Sequence, residues 1–110
     1  MIYSVEITSQ AESDLRGIYE YIAYELQSPQ TAAAQLSRLE ENICALDQMP
    51  DRFRRYDREP WRSRGWRIMP VDNYCVFYMP DHDRKVVYIT RVLYGGRDIE
   101  SVLVGDEESK

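Results

Sequence analysis

The chain has 110 residues, 44% of them hydrophobic and 30% charged, with a formal net charge of −5. That length fits one compact domain with its own core, and that composition excludes a disordered or collagen-like chain. No apolar run approaches the roughly 20 residues of a membrane-spanning helix, and the acidic balance argues against a general nucleic-acid binder. Cys44 and Cys75 lie far apart and match no metal spacing, so the expectation is a reducing cytoplasm with neither metal nor cofactor.

The elements follow in order. Tyr3, Val5 and Ile7 alternate with polar neighbours, which predicts a half-buried strand and not a secretory leader. Ser9-Gln10-Ala11-Glu12 has the form of a capping box. Ala11, Leu15, Ile18, Ile22 and Leu26 then make one apolar stripe at helical spacing. Ser28-Pro29 closes that helix and opens a second, with Pro29 at its first position. Ala32, Leu36, Leu39, Ile43 and Leu46 repeat the stripe up to Met49-Pro50, and so short a connection makes the two helices an antiparallel hairpin.

An arginine-rich loop follows, broken by Pro60 and Gly65. Residues 52–67 hold seven arginines against Asp57 and Glu59, a local +5 that leaves −10 for the other 94 residues. The planar guanidinium fork suits carboxylates and phosphates. The block therefore reads either as a grip for an anionic partner or as a loop paired with the acidic helices of its own fold.

From Trp66 the period returns to two. Trp66–Val71, with Pro70 marking an edge or a bulge, Tyr74–Met79 and Lys85–Leu93 are three strands, separated by turns at Asp72-Asn73 and Pro80–Asp83. Gly95-Gly96 ends the last strand, and residues 97–103 form one or two helical turns. The fold class is α+β: a helical hairpin packed on a mainly antiparallel four-stranded sheet, in the order β-αα-βββ. Residues 1–104 are expected to be a single domain, and 105–110 a frayed acidic tail.

Two helices cover only one face of such a sheet, yet its middle is apolar on both. Tyr74, Val76 and Tyr78 oppose Cys75, Phe77 and Met79; Val86, Tyr88 and Val92 oppose Val87, Ile89 and Leu93. A face open to water would be polar. Either a partner chain covers it, with Cys75, Phe77 and Met79 as contacts, or the arginine loop and the C-terminal turn fold over it. The partner is the expectation carried forward.

Most enzyme templates are missing. The one histidine, His82, sits in a turn, and there is no zinc set, phosphate-cradling glycine loop or nucleophile elbow. One constellation remains: Arg67, Arg91, Tyr94 and Arg97 could converge on one end of the sheet, hold a phosphodiester and stabilise charge developing on it. Tyrosine acts as acid or base only with its pKa drawn down from about 10. Arg91 interrupts an apolar strand, which calls for either this role or a structural partner in Asp98 or Glu100.

Three stretches carry a resemblance: residues 11–15 with Tyr21-Ile22, residues 72–78, and Tyr88-Ile89-Thr90-Arg91-Val92-Leu93-Tyr94-Gly95-Gly96-Arg97-Asp98. In this order and spacing, from residue 2 to 103, the chain resembles the RelE/ParE superfamily of toxins from type II toxin–antitoxin systems, and its close looks more like the ParE branch. The resemblance implies a growth-inhibiting, plasmid-stabilising toxin that binds DNA gyrase. It also implies a cognate antitoxin whose C-terminal segment wraps the toxin in a hetero-oligomer. Arg54, Arg55, Arg62 and Arg64 are the expected landing place for an acidic segment of that partner. The alternative within the superfamily is a metal-independent endoribonuclease that cuts mRNA on the ribosome. On that reading Arg67 and Arg97 match basic positions of the nucleases. Cys75 stands where Asn-Tyr-Arg is the common pattern, Tyr94 where many ParE-like chains have His, and the lysines of the RelE type are missing.

Overall fold

The structure, a computed structural model, describes residues 2–108, with side chains through residue 105. The strand β1 (Ser4–Ile7) is followed by helices α1 (Ser9–Glu20) and α2 (Pro29–Cys44), strands β2 (Arg67–Val71), β3 (Tyr74–Asp81) and β4 (Val86–Tyr94), and helix α3 (Ile99–Glu108). The sheet order is β1-β4-β3-β2, with β1 parallel to β4 and the other pairs antiparallel. This is the expected α+β architecture. Pro70 sits on β2, at the sheet edge, where no ladder hydrogen bond is asked of it.

The hairpin starts one residue earlier than the capping box suggested. Thr8, not Ser9, is the N-cap: its Oγ1 accepts the Ala11 N–H at 3.3 Å and donates to the Ile89 carbonyl at 2.8 Å, tying the helix start to β4. Beyond Glu20 the chain widens into a π-helical turn, Tyr21–Glu25. The extra residue shifts the apolar phase, so Ala23 joins Ile22 in the interior while Leu26, the expected end of the stripe, is exposed. The α2 stripe holds as read, with Ala32, Leu39, Ile43 and Leu46 buried. Leu39, Ile43 and Leu46 form the core between hairpin and sheet together with Met69, Val76, Tyr78 and Val87, while Ala32 packs with Ile22 and Ala23 inside the hairpin.

The alternation in β4 does not hold as read. Ile89 pairs with Tyr78 and Arg91 with Phe77, which leaves Thr90 as an extra residue opposite that step. This β-bulge resets the phase, and Val87, Ile89 and Val92 all join the helix-side core while Leu93 falls on the other side.

The partner expected over the second face is replaced by the chain itself. Phe77 is fully buried beneath a cluster of Trp61, Ile68, Leu93 and Leu103, with Tyr56, Trp66, Cys75, Ile99 and Val102 packed around it. The arginine block supplies Tyr56, Trp61 and Trp66, whose rings lie 5.0–6.4 Å from one another or from Phe77. Its backbone is tied to β2 by Tyr56 N–H to Trp66 O at 2.9 Å and Ile68 N–H to Arg54 O at 3.1 Å. The other half of the cover is α3, which continues to Glu108 instead of ending after one or two turns. Its apolar residues Ile99, Val102 and Leu103 recur at helical spacing and give it a face to bury. The tail expected to fray from Gly105 is thus helical through Glu108; residues 109 and 110 lie outside the described residues.

Candidate functional site

Between the end of the hairpin and the C-terminal end of β4 lies an open cleft of about 780 Å³. Its walls are Asp14, Gly17, Ile18, Tyr21 and Leu26 from the first helix and its π turn, Thr31 and Gln35 from α2, and Asn73, Tyr74, Val92, Tyr94 and Arg97 from the sheet and its turns. The π turn matters here, because it is what leaves Tyr21 and Leu26 each 57% exposed at the rim.

The sheet side is built by the Gly95-Gly96 turn. Gly95 N–H donates to Asn73 O at 2.8 Å, which folds the chain back across the β2–β3 turn. A Cβ on Gly96 would stand 2.5 Å from the Tyr94 ring, so only glycine lets that ring lie where it does. Tyr94 meets Tyr74 edge-on at 5.8 Å. Burial, with Tyr94 and Tyr21 nearby, pushes the Tyr74 phenol above its ordinary pKa of 10. This is the opposite of what a general base needs. Opposite, Asp72 in the β2–β3 turn (φ 55°) accepts from Arg38 Nε at 2.7 Å and Gln35 Nε2 at 2.9 Å. These bonds hold its carboxyl below the ordinary carboxylate range and lock the turn to α2.

Arg91 finds a different partner from those expected. It is 7% exposed and donates from Nε and Nη2 to the Asp14 carboxylate at 2.8 and 2.9 Å. Asp14 also accepts the Val92 N–H at 2.9 Å. Asp98 instead caps α3 by accepting from the Ser101 hydroxyl and N–H, which lowers its pKa, and Glu100 faces Arg58 at 3.7 Å. The partner was written in the sequence: Asp14 is three residues from Ala11 and four from Ile18, so it is an acid on the apolar face of α1, and such an acid calls for a buried cation.

Arg67, Arg91, Tyr94 and Arg97 are not gathered. Tyr94 and Arg97 line the cleft, and Arg91 lies behind it in its pair with Asp14. Arg67 pairs with Tyr78 in the sheet, whereas Tyr94 pairs with Tyr74. That is four residues along β3, or about 13 Å at the rise of a strand. Arg67 is spent on structure: its Nη1 donates to Phe53 O at 2.6 Å and Asp51 O at 3.2 Å.

Arg54, Arg55, Arg62 and Arg64 lie on the exposed side of the loop. Arg62 faces Asp57 at 3.8 Å. Cys75 is half-buried at the margin of the second core, its thiol pushed up in pKa by burial, and Met79 is half-buried farther along β3. Among the described residues no group of three His, Cys, Asp or Glu side chains could hold a metal, and no helix is long and apolar enough to cross a membrane.

Residues 5–99 match the protein family described as the ParE toxin of the type II toxin–antitoxin system parDE. No curated protein sequence is a match. The fold is shared with the chromosomal ParDE toxin–antitoxin system of P. aeruginosa, at 21% identity over 84% of this chain and 96% of that one, TM-score 0.69. The toxin–antitoxin complex RelBE2 of Mycobacterium tuberculosis aligns at 24% identity over 86% and 99%, TM-score 0.60. A mutant of the E. coli toxin RelE in the free state aligns at 14% over 96% and 98%, TM-score 0.64.

Proposed function

The chain belongs to the ParE toxin family of type II toxin–antitoxin systems, and we propose that it stops growth by binding DNA gyrase in the cytoplasm and not by cutting RNA. The observation that carries this reading is the Asp14–Arg91 pair. A nuclease of the superfamily would turn a cationic strand residue toward a phosphodiester. Here that guanidinium is buried and its charge is met by a bidentate carboxylate. Arg67 is likewise committed to backbone carbonyls, and the net charge of −5 opposes approach to a polyanion. What remains at the cleft is a rim of Tyr21, Leu26 and Tyr94 beside Arg97, a composition suited to a protein surface.

A cognate antitoxin completes the reading. The solved ParDE and RelBE2 relatives are toxin–antitoxin systems and complexes. An acidic segment of such a partner would meet Arg54, Arg55, Arg62 and Arg64 on the outside of the loop. Cys75 and Met79 are contacts only at the margin of the cover, and Phe77, sealed beneath it, is not one. The resulting hetero-oligomer would stabilise a plasmid that carries it.

Pulse-labelling after induction of the chain alone tests the target. DNA synthesis should halt first while protein synthesis continues, and the purified chain should inhibit supercoiling by gyrase. An early halt in translation, with gyrase unaffected, overturns the reading and returns Tyr94 and Arg97 to the nuclease alternative.

A further inference from the structure

At the end of the sheet away from the cleft, four segments bring Tyr3, His82, Asp51 and Arg67 into one chain of contacts. The Tyr3 hydroxyl lies 2.6 Å from His82 Nδ1. His82 Nε2 lies 3.1 Å from the Asp51 carboxylate, and Arg67 Nε lies 3.4 Å from the same oxygen. A carboxylate only accepts, so the imidazole proton facing Asp51 is on Nε2. In the neutral ring that leaves the Nδ1 lone pair as acceptor for the phenol, and the Tyr3 O–H then points at a base. The Lys85 ammonium sits 5.3 Å from the centre of the Tyr3 ring and helps to hold that ring in place. Beside these groups is an open hollow of about 480 Å³ bounded by Tyr3, Met49, Pro50, Asp51 and Arg52, with the exposed Met49 as an apolar wall.

We propose that Tyr3 is an activated nucleophile and that this corner is a covalent modification site for a short activated acyl group. The arrangement of nucleophile, base and orienting carboxylate within hydrogen-bond reach is what such a role requires. In the step, Tyr3 Oη forms a bond to the acyl carbon and the bond from that carbon to its leaving group breaks, the electron pair departing with the leaving group. The phenolic proton passes to His82 Nδ1 and then to solvent. Asp51 is a positioning residue, holding the imidazole in the tautomer that accepts. Arg67 fixes Asp51 in turn. Toxicity does not enter this proposal.

The probe is p-nitrophenyl acetate, applied to the full native chain, with the acetylation rate of each tyrosine read by peptide mapping. Tyr24, 69% exposed, is the internal control. Tyr3 is less exposed, so accessibility alone makes it the slower of the two. General-base assistance typically brings about a hundredfold or more, so Tyr3 should acetylate at least about tenfold faster than Tyr24. His82→Gln should bring it below Tyr24, and Asp51→Asn should slow it without changing Tyr24. Equal or slower reaction of Tyr3 in the native chain overturns the proposal, as does acetylation confined to Lys85 or a Tyr3 rate untouched by His82→Gln. The native comparison needs no variant to fold.

Discussion

The two faces of the sheet are sealed in different ways. On one, α1 and α2 lay repeating aliphatic stripes on Met69, Val76, Val87 and Ile89, and the buried residues come from helices and strands, with Phe53 of the loop packed against them. On the other, a loop crowded with arginines turns three aromatic rings inward over Phe77, and α3 adds Leu103. The first cover is ordered by backbone hydrogen bonds, which hold its side chains in register. The second holds because a few large rings bury much area each, while its charges stay outside. A charged loop can therefore be a lid over a core, and net charge per segment says little about what lies beneath it.

The largest effect is expected at the seam between the faces, where the Thr90 bulge sends Arg91 toward α1. Asp14→Ala would leave a buried guanidinium without its carboxylate and the Val92 N–H without its acceptor. A cost of about 3–5 kcal/mol is expected, read as a lower urea midpoint with the slope unchanged.

The comparison of covers is tested directly by one truncation on each face. Leu39→Ala opens a cavity between hairpin and sheet and should cost about 2–5 kcal/mol, expressed as a lower temperature of cooperative unfolding. Trp61→Ala removes a larger side chain, yet the loop above it can settle inward. Its signature should be local: faster amide exchange over residues 54–68 and at Phe77, with exchange in α2 unchanged. Uniform acceleration through α2 would show that the two covers unfold as one unit.

These two faces were unequally legible in the sequence. The hairpin could be read because its stripe repeats every three or four residues, and Leu39 or Ile43 is buried where the period puts it. Three features broke the period: the π turn at Tyr21–Glu25 exposed Leu26, the bulge at Thr90 moved Val92, and Thr8 took the cap from Ser9. The cap depends on a tertiary contact, Thr8 with the Ile89 carbonyl, that no local pattern encodes, and one extra residue in a helix or a strand leaves no mark in the composition around it. Trp61 and Trp66 were visible in the arginine block, and two tryptophans in so polar a run were a sign of an inward face. The site residues fared least well. Tyr94 and Arg97 do share a cleft, but Arg67 stands at the other end of β3, since register along a strand separates residues that fold class alone leaves unplaced. His82 looked idle in its turn because Tyr3 and Asp51 reach it from distant segments.

A smaller effect belongs to Tyr78, which passes its ring through the helix-side core to donate to Pro50 O at 2.6 Å. Tyr78→Phe would leave that carbonyl without its donor, at a cost of about 1–3 kcal/mol. Burial pushes the Tyr78 phenol up to about 12, against an ordinary value of 10. Between those values the unfolded chain sheds the proton and the native chain keeps it, so stability is intact below pH 10 and falls as pH rises toward 12. The slope approaches roughly 1.4 kcal/mol per pH unit. Urea midpoints measured from pH 9 to 11.5 should show this decline in the native chain and a shallower one in Tyr78→Phe. The remainder would come from Tyr56 and Tyr74, whose burial raises them too.

The smallest effect is expected where α3 closes the second face. The Arg58–Glu100 pair joins loop to helix at 3.7 Å, but both side chains are more than half exposed. Water and salt screen such a pair, so Glu100→Gln should change stability by less than about 0.5 kcal/mol. Leu103, by contrast, is buried against the aromatic cluster, and Leu103→Ala should visibly loosen α3 by amide exchange. If Glu100→Gln frees the helix as much as Leu103→Ala, then α3 is held by its charges and not by its apolar face. The second cover would then weaken with ionic strength more than the hairpin, whose one buried ion pair, Asp14–Arg91, is shielded from salt.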